Sequence, residues 1–177
     1  VVLLVLCSFA ALASTWFSPR TRHYRGGLGY LVASVAISLV LISTLKNLTH
    51  IPCPWDLQRY GGAQPYIPVF HALFGAGSGR CFPAGHASGA YAWVALYFFC
   101  RVYKPQWRMT ALAFTLLLGI SFGIAQQLRG AHFLSHDVWT LAICWYISLA
   151  GYSLLYGRRH RSFSAASGKN NALLESN

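Results

Sequence analysis

Apolar residues fill five long stretches of the chain, and short polar or basic segments separate them. The stretches cover residues 1 to 17, 28 to 45, 86 to 103, 109 to 127 and 138 to 157. At about 1.5 Å of rise per residue, helices of this length roughly span the ~30 Å hydrocarbon core of a membrane. Small residues recur inside the stretches, which permits close helix packing in lipid. The pattern predicts an all-α polytopic membrane bundle with five transmembrane helices in this chain.

The segments between the stretches alternate in charge, and this alternation predicts an orientation. Short basic segments lie at 18 to 27, 101 to 108 and 157 to 161, whereas residues 46 to 85 and 128 to 137 form the opposite set. Because cytoplasmic loops carry the excess of Lys and Arg, the basic set is expected in the cytoplasm. The other set then faces outward. A sixth helix, upstream of this chain, would bring the amino terminus back inside.

Composition agrees with a membrane domain. Of 177 residues, 55% are hydrophobic and 10% charged, and 14 Lys or Arg residues against three acids give a formal net charge of +11. Nucleic-acid-binding proteins are also basic, but here the basic residues form short clusters between apolar stretches, so the bilayer is the expected partner and nucleic acid is not. We place the membrane domain at residues 1 to 161 and expect residues 162 to 177 to form a mobile cytoplasmic tail.

Reactive side chains collect at the outward ends of the predicted helices. They are Lys46, His86, Arg129, His132, His136 and Asp137. Cations at helix ends, beside backbone N–H groups, make a site for an oxyanion such as phosphate. Gly85 lets a bound anion approach the backbone closely. The sequence therefore predicts a phosphate site on the outer face.

The same residues can supply the chemistry of phosphate ester hydrolysis. The reaction needs a nucleophile, a proton for the leaving oxygen and cations for the phosphoryl oxygens. Imidazole can attack or donate a proton because it titrates near neutral pH, and a carboxylate can orient the attacking ring. His132, His86 and Asp137 are the candidates for these functions. The candidate phosphate-binding cations are Lys46, Arg129, Arg80 and Arg59.

Three short motifs resemble those of the type 2 phosphatidic acid phosphatase superfamily, a family of membrane lipid phosphatases. Its pattern is Lys, six residues, Arg-Pro; then Pro-Ser-Gly-His; then Ser-Arg, five residues, His, three residues, Asp. Here the motifs read KNLTHIPCP at 46 to 54, PAGH at 83 to 86 and AQQLRGAHFLSH at 125 to 136. The resemblance implies a six-helix bundle without a cofactor, in which His132 forms a phosphohistidine and His86 protonates the leaving group.

Five positions depart from the family pattern. They are Cys53 and Gln126 in place of arginine, Ala84 and Ala125 in place of serine, and His136 in place of aspartate. Arg129 follows Gln126 by about one helical turn and can present its guanidinium on a similar face. Arg59 or Arg80 can replace the arginine missing at Cys53.

Two alternatives stay open around His136. Either His136 or Asp137, one residue later, can orient His132. Histidines at i and i+4 can instead bind a metal, with Asp137 or His86 as a further zinc ligand. Nothing in the sequence resembles a complete ligand set, so no metal is expected.

The long outer loop contains two cysteines and several glycines. Cys53 and Cys81 can form a disulfide if the loop faces an oxidising compartment. Their pairing would pin the segment after Lys46 to the turn before His86. The glycines make a lid over a lipid headgroup a further hypothesis.

These observations predict a membrane lipid phosphate phosphatase, or a phosphotransferase using the same intermediate, in a bacterial inner membrane with its site facing the periplasm. Polyprenyl diphosphate, phosphatidylglycerol phosphate, phosphatidic acid and lipid A phosphate all fit a site at helix ends. The main alternative is a non-catalytic transporter or assembly factor with a degenerate phosphatase site. A vanadate-dependent haloperoxidase would explain the histidines but not the membrane. The sequence does not indicate the oligomeric state.

Overall fold

A computed structural model describes the backbone of residues 2 to 68, 71 and 79 to 175, and the side chains of residues 6 to 68, 71 and 79 to 157. The helices are α1 (Val2–Phe17), α2 (Arg25–Leu48), α3 (Gly85–Tyr91), α4 (Ala95–Tyr103), α5 (Arg108–Leu128) and α6 (Leu134–Glu175). Short 3-10 turns cover Arg22–Tyr24, Pro54–Asp56, Gln58–Tyr60, Ala92–Val94 and Pro105–Trp107. The described residues form no strand, so the prediction of an all-α fold is confirmed.

Each predicted apolar stretch is helical over the residues that the structure describes, and the 3-10 turn Ala92–Val94 joins α3 and α4 within one stretch. Three segments are long and apolar enough to cross a membrane, namely Arg22–Leu48, Pro105–Leu128 and Leu134–Gly157. These segments indicate an integral membrane protein. Membrane crossing by α1 and by the α3–α4 helix stays a prediction.

Two earlier expectations concern parts of the chain that the structure describes only partly. The backbone of α6 is helical to Glu175, past the domain boundary predicted at Arg161, and that boundary stays a prediction. Most of the glycine-rich part of the outer loop, at 72 to 78, lies outside the described residues.

The helix formed by α3, its 3-10 turn and α4 lies in the middle of the bundle, and we call it the central helix. Residues 87 to 95 are all buried. Helices α2, α5 and α6 pack around it, whereas α1 packs against α2. Small side chains on the central helix allow this approach from three sides. On α5, Gly119 lies against the Tyr91 ring, where a Cβ atom would overlap it.

One end of the bundle gathers the end of α2, the start of α3, the end of α5 and the start of α6, and we call it the histidine end. The Thr140 hydroxyl on α6 shares its proton between the His136 carbonyl of its own helix at 2.9 Å and the Ala84 carbonyl, next to the start of α3, at 3.2 Å. Farther along the bundle, the Tyr30 hydroxyl on α2 donates to the Ser148 carbonyl of α6 at 2.9 Å. These bonds tie α6 to the residue before α3 and to α2.

Candidate active site

Lys46 and Gly85 meet at the histidine end. Lys46 is half-buried near the end of α2, and Gly85 begins α3. A Cβ atom added to Gly85 would lie 3.3 Å from Nζ of Lys46 and 3.8 Å from its Cδ. The absence of a side chain at Gly85 therefore leaves backbone open beside the ammonium group. Two residues predicted from separate motifs come together here.

His132 lies in the turn between α5 and α6 and is 5% exposed. Burial, and after it the charges of Lys46 and His86, lower the pKa of His132 to about 4. Hydrogen bonding to the Cys81 backbone acts in the opposite direction. The His132 ring is therefore uncharged at neutral pH, which is the state that a nitrogen nucleophile requires.

His136 and Asp137 are both buried, but they face different neighbours. Nδ1 of His136 lies 3.4 Å from Nδ1 of His132. The Asp137 carboxylate accepts a hydrogen bond from Nε2 of Gln127 at 2.7 Å and packs against Gly123 of α5. Successive helical residues point about 100° apart, so one side chain of the pair faces His132 while the other faces α5.

His86 is exposed at the start of α3 and lines an open groove of about 410 Å³. Leu39 of α2 and Phe122 of α5 form apolar walls of this groove. Gln126, which occupies a family arginine position, also lines it and is almost buried. The groove thus joins the histidine end to the flanks of α2 and α5.

The predicted arginines differ from Lys46 in their exposure. The side chains of Arg59, Arg80 and Arg129 are exposed. Of the lysine and arginine side chains among the described residues, it is that of Lys46 whose charge lowers the pKa of His132. The arginines therefore stay predicted phosphate ligands without a described contact to the histidines.

Three loop segments are joined above the site. Cys53 and Cys81 form a disulfide with a Cα–Cα distance of 5.1 Å. The Cys81 amide also donates to the Ile51 carbonyl at 2.9 Å, and the Trp55 amide donates to the Gly130 carbonyl at 3.0 Å. The segment after α2 is thereby fixed both to the turn before α3 and to the turn that carries His132.

Comparison with known proteins adds one decisive finding. The family model of the PAP2 superfamily matches residues 27–160, which is most of the chain. The chain belongs to the PAP2 superfamily. This confirms the predicted type 2 phosphatidic acid phosphatase relationship. No curated protein and no solved structure matched the chain in the corresponding searches.

Membership of the PAP2 superfamily implies a phosphatase that acts on phosphate esters. All three PAP2-like motifs contribute to the histidine end, through Lys46, His86 and His132. The zinc alternative has less support, because the Asp137 carboxylate is directed to Gln127. Among the described residues, no group of three or more His, Cys, Asp or Glu side chains is arranged to hold a metal ion.

The sequence did not predict several neighbours of His136 and Asp137. Phe82 and Phe133 flank the His136 ring nearly at right angles, with centroid distances of 5.3 and 5.4 Å. Gln127, the partner of Asp137, belongs to a polar pair at the end of an apolar stretch, and that pair was an available signal. The two phenylalanines lie in loops without any periodicity, so no sequence signal distinguished them.

Proposed function

We propose that this PAP2 protein is a lipid phosphate phosphatase, or a phosphotransferase, that works through a phosphohistidine at His132. The observation that carries the proposal is the convergence of Lys46, His86 and His132 at one end of the bundle. Lys46 and His86 both act electrostatically on His132, and the Lys46 ammonium lies beside the open backbone of Gly85. A buried uncharged imidazole beside a cation suits attack on a phosphate ester.

The first step forms a bond between Nε2 of His132 and phosphorus while the bond from phosphorus to the ester oxygen breaks. His86 donates a proton to the leaving oxygen. In the second step water attacks phosphorus, His86 takes a proton from that water, and the phosphorus–nitrogen bond breaks. In a phosphotransferase an acceptor hydroxyl replaces water. Lys46 stabilises charge on the phosphoryl oxygens in both steps.

The groove at His86 supports a lipid as the leaving group. Its walls include Leu39 and Phe122, whose side chains are apolar, and it is open to the surroundings of the bundle. An alkyl or prenyl chain in this groove would keep its phosphate near His86 and Lys46. Polyprenyl diphosphate, phosphatidylglycerol phosphate, phosphatidic acid and lipid A phosphate share this combination of a phosphate and an apolar chain.

We place the site on the periplasmic face of a bacterial inner membrane. The histidine end contains the disulfide, which is typical of an oxidising compartment. The basic segments 18 to 27 and 101 to 108 lie between helices at the opposite end, as the positive-inside rule requires of cytoplasmic loops.

The test is phosphate release by the purified protein from a panel of these four lipid phosphates in detergent micelles. We expect His132→Gln to abolish release and His86→Gln to lower kcat by about 10²–10⁴-fold. His23→Gln is the matched control, because His23 precedes α2 and lies at the opposite end from Lys46. An acid-labile, alkali-stable phosphoprotein should form in the parent and be absent from His132→Gln.

Two outcomes would refute the proposal. Release that is unaffected by both site substitutions would exclude the histidine mechanism. If the folded parent releases no phosphate from any lipid of the panel, the non-catalytic alternative is favoured. That alternative is motivated by Cys53 and Gln126, which stand where the family pattern has arginine.

A further inference from the structure

Two adjacent polar residues lie in the first turn of α6, and one of them contacts the ring of His132. His136 approaches His132 through Nδ1 at 3.4 Å, whereas the Asp137 carboxylate is bonded to Gln127 on α5. We infer that His136 is the positioning residue for His132, which donates its Nδ1 proton to Nδ1 of His136, and that Asp137 serves helix packing. This inference rests on the proposed function of His132.

The contact constrains where the protons lie. A hydrogen bond between two Nδ1 atoms requires one of them to carry a proton and the other a lone pair. His132 needs a free lone pair on Nε2 to attack phosphorus, so its proton must lie on Nδ1. His136 must then accept at Nδ1 and carry its own proton on Nε2. The pair is therefore productive only when both rings are uncharged.

The surroundings of His136 suit a fixed acceptor. Its ring is 4% exposed, and Phe82 and Phe133 flank it nearly at right angles. The Cys81 backbone interacts with His136 as well as with His132, and the disulfide attaches Cys81 to the segment after α2. These contacts restrict rotation of the ring and so hold the acceptor atom in place.

Asp137 has a different set of contacts. Its Oδ2 accepts a hydrogen bond from Gln127, and a Cβ atom on Gly123 would lie 2.8 Å from Oδ2 and 2.9 Å from Cγ. The carboxylate therefore occupies a recess in α5 that only glycine leaves open. To reach His132 it would have to give up the Gln127 hydrogen bond and its place against Gly123, although its Oδ1 has no hydrogen-bond partner.

Charge explains why an imidazole suits this position. Among the described residues, His132 and Lys46 are the titratable side chains that interact electrostatically with His136. Lys46 is the cation that acts on both histidines, and the side chains of the three candidate arginines are exposed. A carboxylate touching His132 would offset that charge and repel phosphate. A neutral imidazole orients His132 without this penalty.

The test compares three substitutions in the purified full chain, with dioctanoyl phosphatidic acid as substrate and inorganic phosphate as competitive inhibitor. His136→Phe keeps a ring between Phe82 and Phe133 but removes the acceptor, so kcat should fall about 10²–10⁴-fold with little change in KM. Asp137→Asn should lose less. His136→Asp should recover at least about tenfold of kcat relative to His136→Phe and bind inorganic phosphate about tenfold more weakly than the parent.

Matched measurements separate this inference from the proposed function. His23→Phe controls for the substitution itself. If His132→Gln is as active as the parent, the proposed function fails. If His132→Gln is inactive but His136→Phe keeps kcat within about threefold, or if Asp137→Asn loses more than His136→Phe, the positioning role of His136 is wrong. A His136→Asp variant that binds phosphate as tightly as the parent contradicts the charge argument.

Nitrogen-15 NMR of the histidine side chains gives a readout that needs no turnover. At neutral pH we expect the parent to carry the His132 proton on Nδ1 and the His136 proton on Nε2. In His136→Phe, His132 should lose its preference for the Nδ1 proton. A parent protein with His132 protonated on Nε2 overturns the inference, whatever its activity.

Discussion

The substitution Gly85→Ala should weaken phosphate binding without lowering the stability of the fold. The added methyl group would lie 3.3 Å from Nζ of Lys46, closer than an ordinary contact, so the ammonium must move and the backbone beside it is covered. A phosphate oxygen bound between them would have to move by about 1 Å. At an effective dielectric of about 20, lengthening an ammonium–oxygen contact from about 3 to about 4 Å costs about 1.4 kcal/mol per unit charge.

That cost corresponds to about tenfold in affinity for one charge and about a hundredfold for a dianion. We therefore expect kcat/KM for dioctanoyl phosphatidic acid to fall about 10- to 100-fold. The folded protein should not lose stability, because only the flexible end of Lys46 has to move and alanine is the better helix former. Phosphate release and thermal unfolding in the same detergent measure the two effects.

Two other glycines provide controls for the same change. A Cβ atom on Gly29 in α2 meets nothing within 4 Å, so Gly29→Ala should keep full activity and gain up to about 1 kcal/mol. Gly119→Ala would force a methyl group into the Tyr91 ring and should cost about 1–3 kcal/mol of stability. Gly85→Ala with unchanged kcat/KM, or with a stability loss like that of Gly119→Ala, would refute the reasoning.

Three further predictions concern charge, pH and the loop crosslink. Lys46→Met should lower kcat/KM about 10²–10³-fold. It should also shift to higher pH the point at which phosphohistidine formation is lost on acidification, because Lys46 lowers the pKa of His132. An unchanged pH profile would contradict this. His132 binds its proton near 6.5 when unfolded but at about 4 when folded, so stability should fall by up to about 3 kcal/mol as pH drops from 6.5 to 4. Thermal unfolding measured against pH should show a smaller loss of stability in His132→Gln than in the parent. Equal losses in the two proteins would be evidence against a contribution from His132. Cys53→Ser opens a crosslink of 28 residues, which is worth about 3.5 kcal/mol in chain entropy. Reductant should raise the number of labelled thiols in the parent and change its kcat at the same time. A reduced parent with full activity would show that the crosslink is dispensable.

Much of the fold was accessible from the apolar stretches, because their length and low charge leave few alternatives to membrane helices. The position of the α3–α4 helix in the middle of the bundle was not predicted. Its stretch is no more apolar than its neighbours, and the relevant signal is the recurrence of small residues between Ala87 and Ala95, where Tyr91 and Trp93 also stand. Such a pattern permits burial on all sides, but only the packing of the other helices selects it for the centre.

The location of the candidate site residues could be predicted where motifs specify it, but not where the rotation of a helix or the path of a loop determines it. Lys46, His86 and His132 follow from motif spacing. The choice between His136 and Asp137 depends on the rotation of α6, which begins at Leu134, because one residue changes the direction of a side chain by about 100°. The exposure of Arg59 and Arg80 depends on the path of a long outer loop, for which the sequence offers no periodicity.

The close packing of the central helix limits how this protein can vary. Ala87, Ala90, Ala92 and Ala95 have no exposed surface, so any larger side chain at these positions would overpack the bundle. Phe122 instead is exposed and lines the open groove, so it can change size without disturbing the centre. Natural variants should therefore conserve small residues along the central helix and diverge in the groove. The groove could then change its shape while His86 keeps its support.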